Sequence, residues 1–326
     1  MMKGKKKKKF LKTFEVKTQC ISNFYKEDHK SFTIIKTIPI KRITYRYIYY
    51  LNDGRLALNY SNELNIYSTD LETIEQTIDS DSIFITQLKD NSLINSKYNE
   101  ANIYMYDEET KKFNFYYSLE CINNAGKVME LTNDRLAFLS IGVCISIYIK
   151  ENGKDVKDGK SFSITTIDDF IPINDNEIAS ILAQESEITF WDLTKREKIS
   201  QIGKISNYGH SCLLLFGKSL IVGGANRNSN VNNIYIVQTD NRELIKKYAF
   251  FQNIWFMTKL NEKEFITGET KGIFCRYRFE ENEVKLMEKN KDHDESEIVE
   301  GLSFCSINNQ IASFSDTNCI IFKIDD

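Results

Sequence analysis

Proline and histidine are nearly absent from this chain: of 326 residues, two are proline and three are histidine. Two prolines beside 14 glycines exclude a low-complexity or collagen-like chain. Of His29, His210 and His293, only His293 has carboxylate neighbours, in Asp292-His293-Asp294. Adjacent residues rarely converge on one ion, so that run reads as a solvated loop and no metal site is expected. The sequence also lacks an apolar run of about 18 residues, so no membrane-spanning helix is predicted. The amino terminus, MMKGKKKKKFLKTFEV, has no apolar block behind its lysines and is not a secretory signal.

Seven cysteines occur, an odd number, without a CxxC pair. Cys144, Cys212, Cys275 and Cys319 lie inside apolar runs, so they read as reduced thiols acting as small core residues in an intracellular protein. The compartment expected is the cytoplasm, with the nucleus as the alternative. No GxSxG, HExxH, P-loop or GxGxxG occurs. Gly223-Gly224 followed by ANRNSNVNN lacks the Lys-Ser/Thr of a phosphate loop and reads as a long turn between strands. No catalytic residue and no cofactor is therefore assigned.

What is present is apolar and aromatic: 41% hydrophobic residues and 12% aromatic exclude general disorder. Charge is unevenly placed. Residues 1–12 hold seven lysines and no acid; taking those seven positive charges from the net −3 leaves −10 for the rest. An acidic body with a short basic tail is expected, the tail covering residues 1–30 and a single domain covering 31–326.

That domain reads as short strands throughout. In YIYYLNDGRLALNYSNELNIYSTDLETIEQTI, from Tyr47 onward, apolar runs end at Asn-Asp-Gly, Ser-Asn and Thr-Asp. Such turns between β-branched and aromatic runs mark hairpins, and three hairpins in succession make a four-stranded meander. The order recurs six more times. Aligning third strands on Trp191, in ITFWDLTKRE, places Tyr67, Tyr106, Tyr148, Val237, Arg278 and Phe322 in register, 39 to 46 residues apart by subtraction. A period of about 40–45 residues with four strands per unit predicts an all-β, seven-bladed propeller of antiparallel blades. The last unit has only three strands. Residues 31–40, SFTIIKTIPI, supply the fourth, closing the ring with Pro39 on a sheet edge, where proline is tolerated.

Over residues 31–326 the chain resembles the WD-repeat propeller family. Ile188-Thr189-Phe190-Trp191-Asp192 matches its third-strand motif and Gly209-His210 its blade-opening dipeptide. DGRLA (from Asp53) and NDRLA (from Asn133) look like the turn and second strand of divergent members. The family's His–Ser/Thr–Trp–Asp network is not complete in any one blade. The resemblance implies a structural role for Trp191 and Asp192, and a non-catalytic scaffold that binds a peptide or partner domain through one face.

That face carries loops leaving second strands and entering first strands, and its candidate contacts are Tyr45, Tyr60, Tyr98, Phe170, Arg227, Trp255 and Lys271. Tyr, Trp and Arg dominate interface energetics. The long inserts 151–160, 223–233 and 290–300 are further places for specificity. A second reading is recruitment to RNA or anionic membrane by Lys5, Lys6, Lys7, Lys8 and Lys9. A third is a propeller hydrolase or lyase, with Asp168-Asp169 at the start of an inner strand facing the central channel.

Overall fold

The computed structural model describes residues 18–20, 32–40, 47–60, 62–80, 83–97, 99–120, 125–131, 134–140, 144–159, 161–163, 167–182, 187–203, 211–224, 232–250, 253–291, 293, 298–299, 301–315 and 317–324. Second strands such as Ser219–Gly224 are buried at every residue, as in a sheet covered on both faces, while outer strands such as Lys112–Glu120 leave most residues exposed. Blade 1 comprises Tyr47–Tyr50, Leu56–Tyr60, Glu63–Tyr67 and Ile74–Asp79. Blade 2 comprises Phe84–Gln87, Leu93–Ser96, Glu100–Asp107 and Lys112–Glu120. Blade 3 has Ala125–Glu130, Arg135–Ser140 and Cys144–Glu151, with an outer strand split into Lys154–Lys157 and Phe162–Ser163. Blade 4 has Ile167–Asn174, Glu177–Leu182, Glu187–Asp192 and Glu197–Ile202.

Blade 5 has Ser211–Phe216, Ser219–Gly224, Asn232–Gln238 and Glu243–Phe250. Blade 6 has Ile254–Lys259, Glu264–Glu269, Phe274–Glu280 and Glu283–Asn290. Blade 7 has Gly301–Cys305, Gln310–Phe314 and Asn318–Ile324, and its outermost strand is Phe32–Pro39 from the other end of the chain. The seven-bladed propeller read from the repeats is the observed fold, and its closure is the one expected. Phe32 pairs with Ile324 and Pro39 with Asn318. Phe32 is buried between blades 6 and 7, its ring 5.0 Å from that of Phe274 and 6.4 Å from that of Phe322. Ring closure thus rests on a buried aromatic as well as on backbone bonds.

Seven apolar clusters fill the spaces between adjacent blades, so each blade is buried on both faces. Register defines equivalent positions. Outer strands bulge opposite one residue of the third strand in six blades, marking Tyr67, Tyr104, Trp191, Val237, Tyr277 and Phe322. Tyr148, opposite Leu136 as Tyr67 is opposite Leu56, completes the set. Two assignments from the sequence are corrected: Tyr104 replaces Tyr106, and Tyr277 replaces Arg278. Both neighbours are themselves aromatic or long, so composition could not separate them; the bulge does.

Within the segment read as tail, Thr18–Cys20 forms a short strand parallel to the outer strand of blade 5.

Candidate functional site

The loops divide between two faces. The upper face carries turns between second and third strands and the connections between blades. The lower face carries the other turns. Among the upper-face candidates, Tyr45, Tyr98 and Arg227 lie outside the described residues, and of Tyr60 the structure describes only its strand position. Trp255, half-buried, lies in the inner strand of blade 6, and exposed Lys271 occupies that blade's second-to-third turn with φ of 63°. One blade therefore brings these two onto the same face.

Phe170 is a correction: it is wholly buried in the cluster between blades 3 and 4 and offers no surface. It sits mid-strand, paired with Ser180, so its ring points into the blade interface and not toward a loop.

The blade 6 turn is braced from blade 7's approach. Val299 N–H donates to Glu269 O at 3.2 Å, and Thr270 bridges to Ile298. A Cβ on Gly268 would lie 2.8 Å from Val299 Cγ1, so glycine is required for this close approach. Beneath the turn Glu269 is buried; Thr267 Oγ1 donates to its carboxyl at 2.8 Å and the Tyr277 hydroxyl at 3.3 Å. Burial pushes the Glu269 carboxyl above the usual range, outweighing these hydrogen bonds.

Inner strands are stitched across blades by polar side chains. Lys127 Nζ (blade 3) lies 2.7 Å from Asp169 Oδ1 (blade 4), whose Oδ2 accepts from Leu213 N–H (blade 5) at 2.9 Å. Tyr50 N–H donates to Ser303 Oγ at 2.8 Å, Asn52 N–H to Gln87 Oε1 at 2.6 Å, and Lys89 N–H to Glu130 Oε2 at 3.1 Å. Burial, then the neighbouring Tyr49 and Asp169, pushes the Tyr47 hydroxyl far above its usual range. The sequence had singled out Asp168-Asp169 for the channel. Both Asp169 oxygens hold other blades in place, and the Asp168 side chain lies outside what is described.

The motif residues are structural. Trp191 Nε1 donates to Ser180 Oγ at 2.9 Å, and Asp192 Oδ1 accepts from Thr194 and Lys195 N–H at 2.9 and 2.8 Å, closing the turn after the strand. In blade 7 the corresponding second-strand position is Ser313, and it meets His293 Nε2 at 2.6 Å while Ser315 meets Nδ1 at 3.1 Å. His293, read as part of a solvated acidic loop, is instead buried in this contact. In blade 2, Asn95 Nδ2 donates to Ser80 Oγ at 2.6 Å. The same second-strand position, Ser180, Ser313 or Asn95, thus anchors a different polar contact in each of these three blades.

Arg55 and Arg135, from DGRLA and NDRLA, reach the next blade. Arg55 donates to Lys111 O at 2.8 Å beside Asp53, and Arg135 donates to Asp175 O. Insert 151–160 also changes meaning. Lys154–Lys157 is outer strand, and Asp155 accepts from the Tyr117 hydroxyl at 2.6 Å. Gly223 belongs to a buried strand, where a Cβ would stand 3.0 Å from Met257 Sδ.

No family model matches the sequence, and no curated protein matches it. A chain of the crystal structure of the mitotic checkpoint complex matches in fold with a TM-score of 0.76 and 10% identity, covering 97% of this chain and 99% of that one. At that identity the likeness is one of fold, and by fold this chain is a seven-bladed β-propeller.

Proposed function

We propose that the chain is a non-catalytic platform, working in the cytoplasm, that binds an extended peptide or a partner domain through the upper face. The stitching of the inner strands carries this reading. Lys127, Asp169, Gln87 and Glu130 spend their polar groups on adjacent blades. A ring held this way presents its loops in fixed positions, so little entropy is lost when a partner docks. The neighbouring fold was solved inside a protein complex, which agrees with this use. Trp255 and Lys271 supply an aromatic and a cation on one blade, suited to a segment carrying an apolar side chain and an acidic one.

The test is affinity capture with the intact chain, a chain lacking residues 1–12, and Trp255→Ala combined with Arg227→Ala. Partners that survive removal of the tail and a nuclease wash, yet are lost with the double variant, support the platform. Loss of every partner with the tail alone rejects it in favour of polyanion recruitment. Small-molecule turnover abolished by Asp168→Asn would reject the non-catalytic part.

A further inference from the structure

In six blades the residue just before the Trp191 position of the third strand is apolar and buried: Ile66, Ile103, Ile147, Phe190, Ile236 and Ile321. Blade 6 has Arg276 there, with Arg278 two positions on. Cross-strand partners share one face of a sheet. Arg276 lies opposite Ile266, which packs against blade 7, and Arg278 lies opposite Glu264. Both arginines therefore stand on the side of blade 6 that meets blade 7. A buried ion cluster is no more stable than the apolar packing used at the other six positions, so packing does not account for arginine in this one.

Between the two lies Glu264, 4% exposed. Arg276 Nε and Nη2 donate to its Oε2 at 3.2 and 2.7 Å, and Arg278 Nε and Nη2 to its Oε1 at 3.1 and 2.7 Å. A guanidinium has five N–H donors, so three on each arginine remain outside this contact. The carboxylate balances one of the two positive charges and fixes both planar forks in place. Lys285 lies opposite Arg278 and Glu288 opposite Arg276, so this face carries three cations against two carboxylates. It is open to solvent at the rim, the Arg276 and Arg278 side chains being 21% and 41% exposed. The wall across from it is apolar. Ile34 of the closing strand lies opposite Phe322, on the side of blade 7 that faces blade 6, and is 45% exposed.

We propose that Arg276 and Arg278 bind the phosphoryl group of a phosphorylated side chain on a peptide partner, with Ile34 receiving an apolar residue beside it. A phosphoryl group brings about two negative charges and three strong acceptor oxygens. Arginine forks match such a group bidentately. A partner's carboxylate brings a single charge, which Glu264 already supplies to the pair. Free phosphate would meet the arginines and leave Ile34 uncovered. The site sits on the rim, in the half of blade 6 next to the lower-face turn at 260–263, away from Trp255 and Lys271. It goes beyond the platform reading and stands whether or not the upper face binds.

Fluorescence anisotropy on the intact chain tests it, with three labelled heptapeptide libraries. One has central phosphoserine followed by leucine, one has phosphoserine followed by glycine, and one has unmodified serine followed by leucine. The phosphoserine-leucine library should bind about tenfold or more tightly than the serine library, and Arg278→Gln and Arg276→Ile should each remove that preference. Arg276→Ile installs the residue type of the other six blades, so its thermal unfolding should match or exceed that of the native chain. Ile34→Ser should weaken the leucine library and leave the glycine library unchanged. Should Arg276→Ile unfold, Arg278→Lys carries the test: it keeps the charge beside Glu264, loses the fork, and should still lower the preference. Equal binding of phosphorylated and unmodified libraries overturns the site, as does a preference that survives both arginine variants. Equal binding of the leucine and glycine libraries, with displacement of both by equimolar inorganic phosphate, overturns the peptide in favour of a free ion. Binding to phosphatidylcholine vesicles carrying phosphatidylinositol phosphate, without binding to any library, overturns it in favour of a lipid headgroup.

Discussion

Glu264 and Glu269 end the same strand of blade 6 and shift in opposite directions. Burial alone would raise the Glu264 carboxyl, but Arg276 and Arg278, each 2.7 Å away, outweigh it and hold it below its usual range. At Glu269 burial outweighs the hydrogen bonds and the attraction of Lys289, and the carboxyl is raised. The depressed group contributes stability above its unfolded pKa of 4.5, lost as pH falls through the folded value. The raised group contributes below its unfolded value, and that contribution is lost as pH rises through the folded one. Glu264→Gln should therefore cost about 1–2 kcal/mol at neutral pH, with the deficit shrinking in acid. Glu269→Gln should match or exceed the native chain at neutral pH, with an advantage that grows upward from 4.5. Urea titrations across this range check both signs.

Trp191 and Ser180 form the other residue-scale case. Trp191→Phe keeps most of the packing and removes one hydrogen bond, for an expected loss of about 1 kcal/mol. In a double-mutant cycle with Ser180→Ala the two losses should fall short of additivity, because both delete the same bond. Full additivity in denaturant unfolding would mean that the bond contributes nothing.

At the scale of elements, the outer strands repeat one device. The bulge residues are Glu75, Tyr116, Ile199, Ile245, Met287 and Ile35. Several stand exposed on the rim, Tyr116 at 47% and Met287 at 46%. Bulges raise local twist and spoil flat edges that would otherwise pair between molecules. Because Ile199 and Met287 bury little, replacing either with Lys should change thermal stability by no more than about 0.5 kcal/mol. Phe32→Ala belongs at the opposite extreme, with an expected loss of about 3–5 kcal/mol from a buried aromatic. Deleting residues 31–40 should be worse still, since it also unpairs Asn318–Ile324.

For the whole molecule, each blade buries its two faces against neighbours, so no blade has a core of its own. Heating should give one cooperative transition, and Phe32→Ala should shift it without splitting it. A separate early transition in calorimetry would show that blades 6 and 7 unfold alone. Blade count and ring closure were legible in the sequence, because Asn/Asp/Gly turns between apolar runs are local signals; the Thr18–Cys20 strand inside the segment read as tail was not. The candidate contacts of the upper face fared unevenly. Trp255 and Lys271 could be placed by turn position, but Phe170 could not, since an aromatic at a loop and one at a blade interface look alike in a strand pattern.

By itself, then, the sequence determined that there are seven meanders and which strand closes them. It could do so because hairpins are set by residues a few positions apart. Tertiary structure decided what lay between blades: that Tyr104 and Tyr277, not Tyr106 and Arg278, share the place of Trp191. It also decided that His293 is buried against Ser313 and Ser315, and that Asp169 joins three blades. Those contacts link residues some 20 to more than 40 positions apart, and only the register of paired strands brings them within hydrogen-bonding distance.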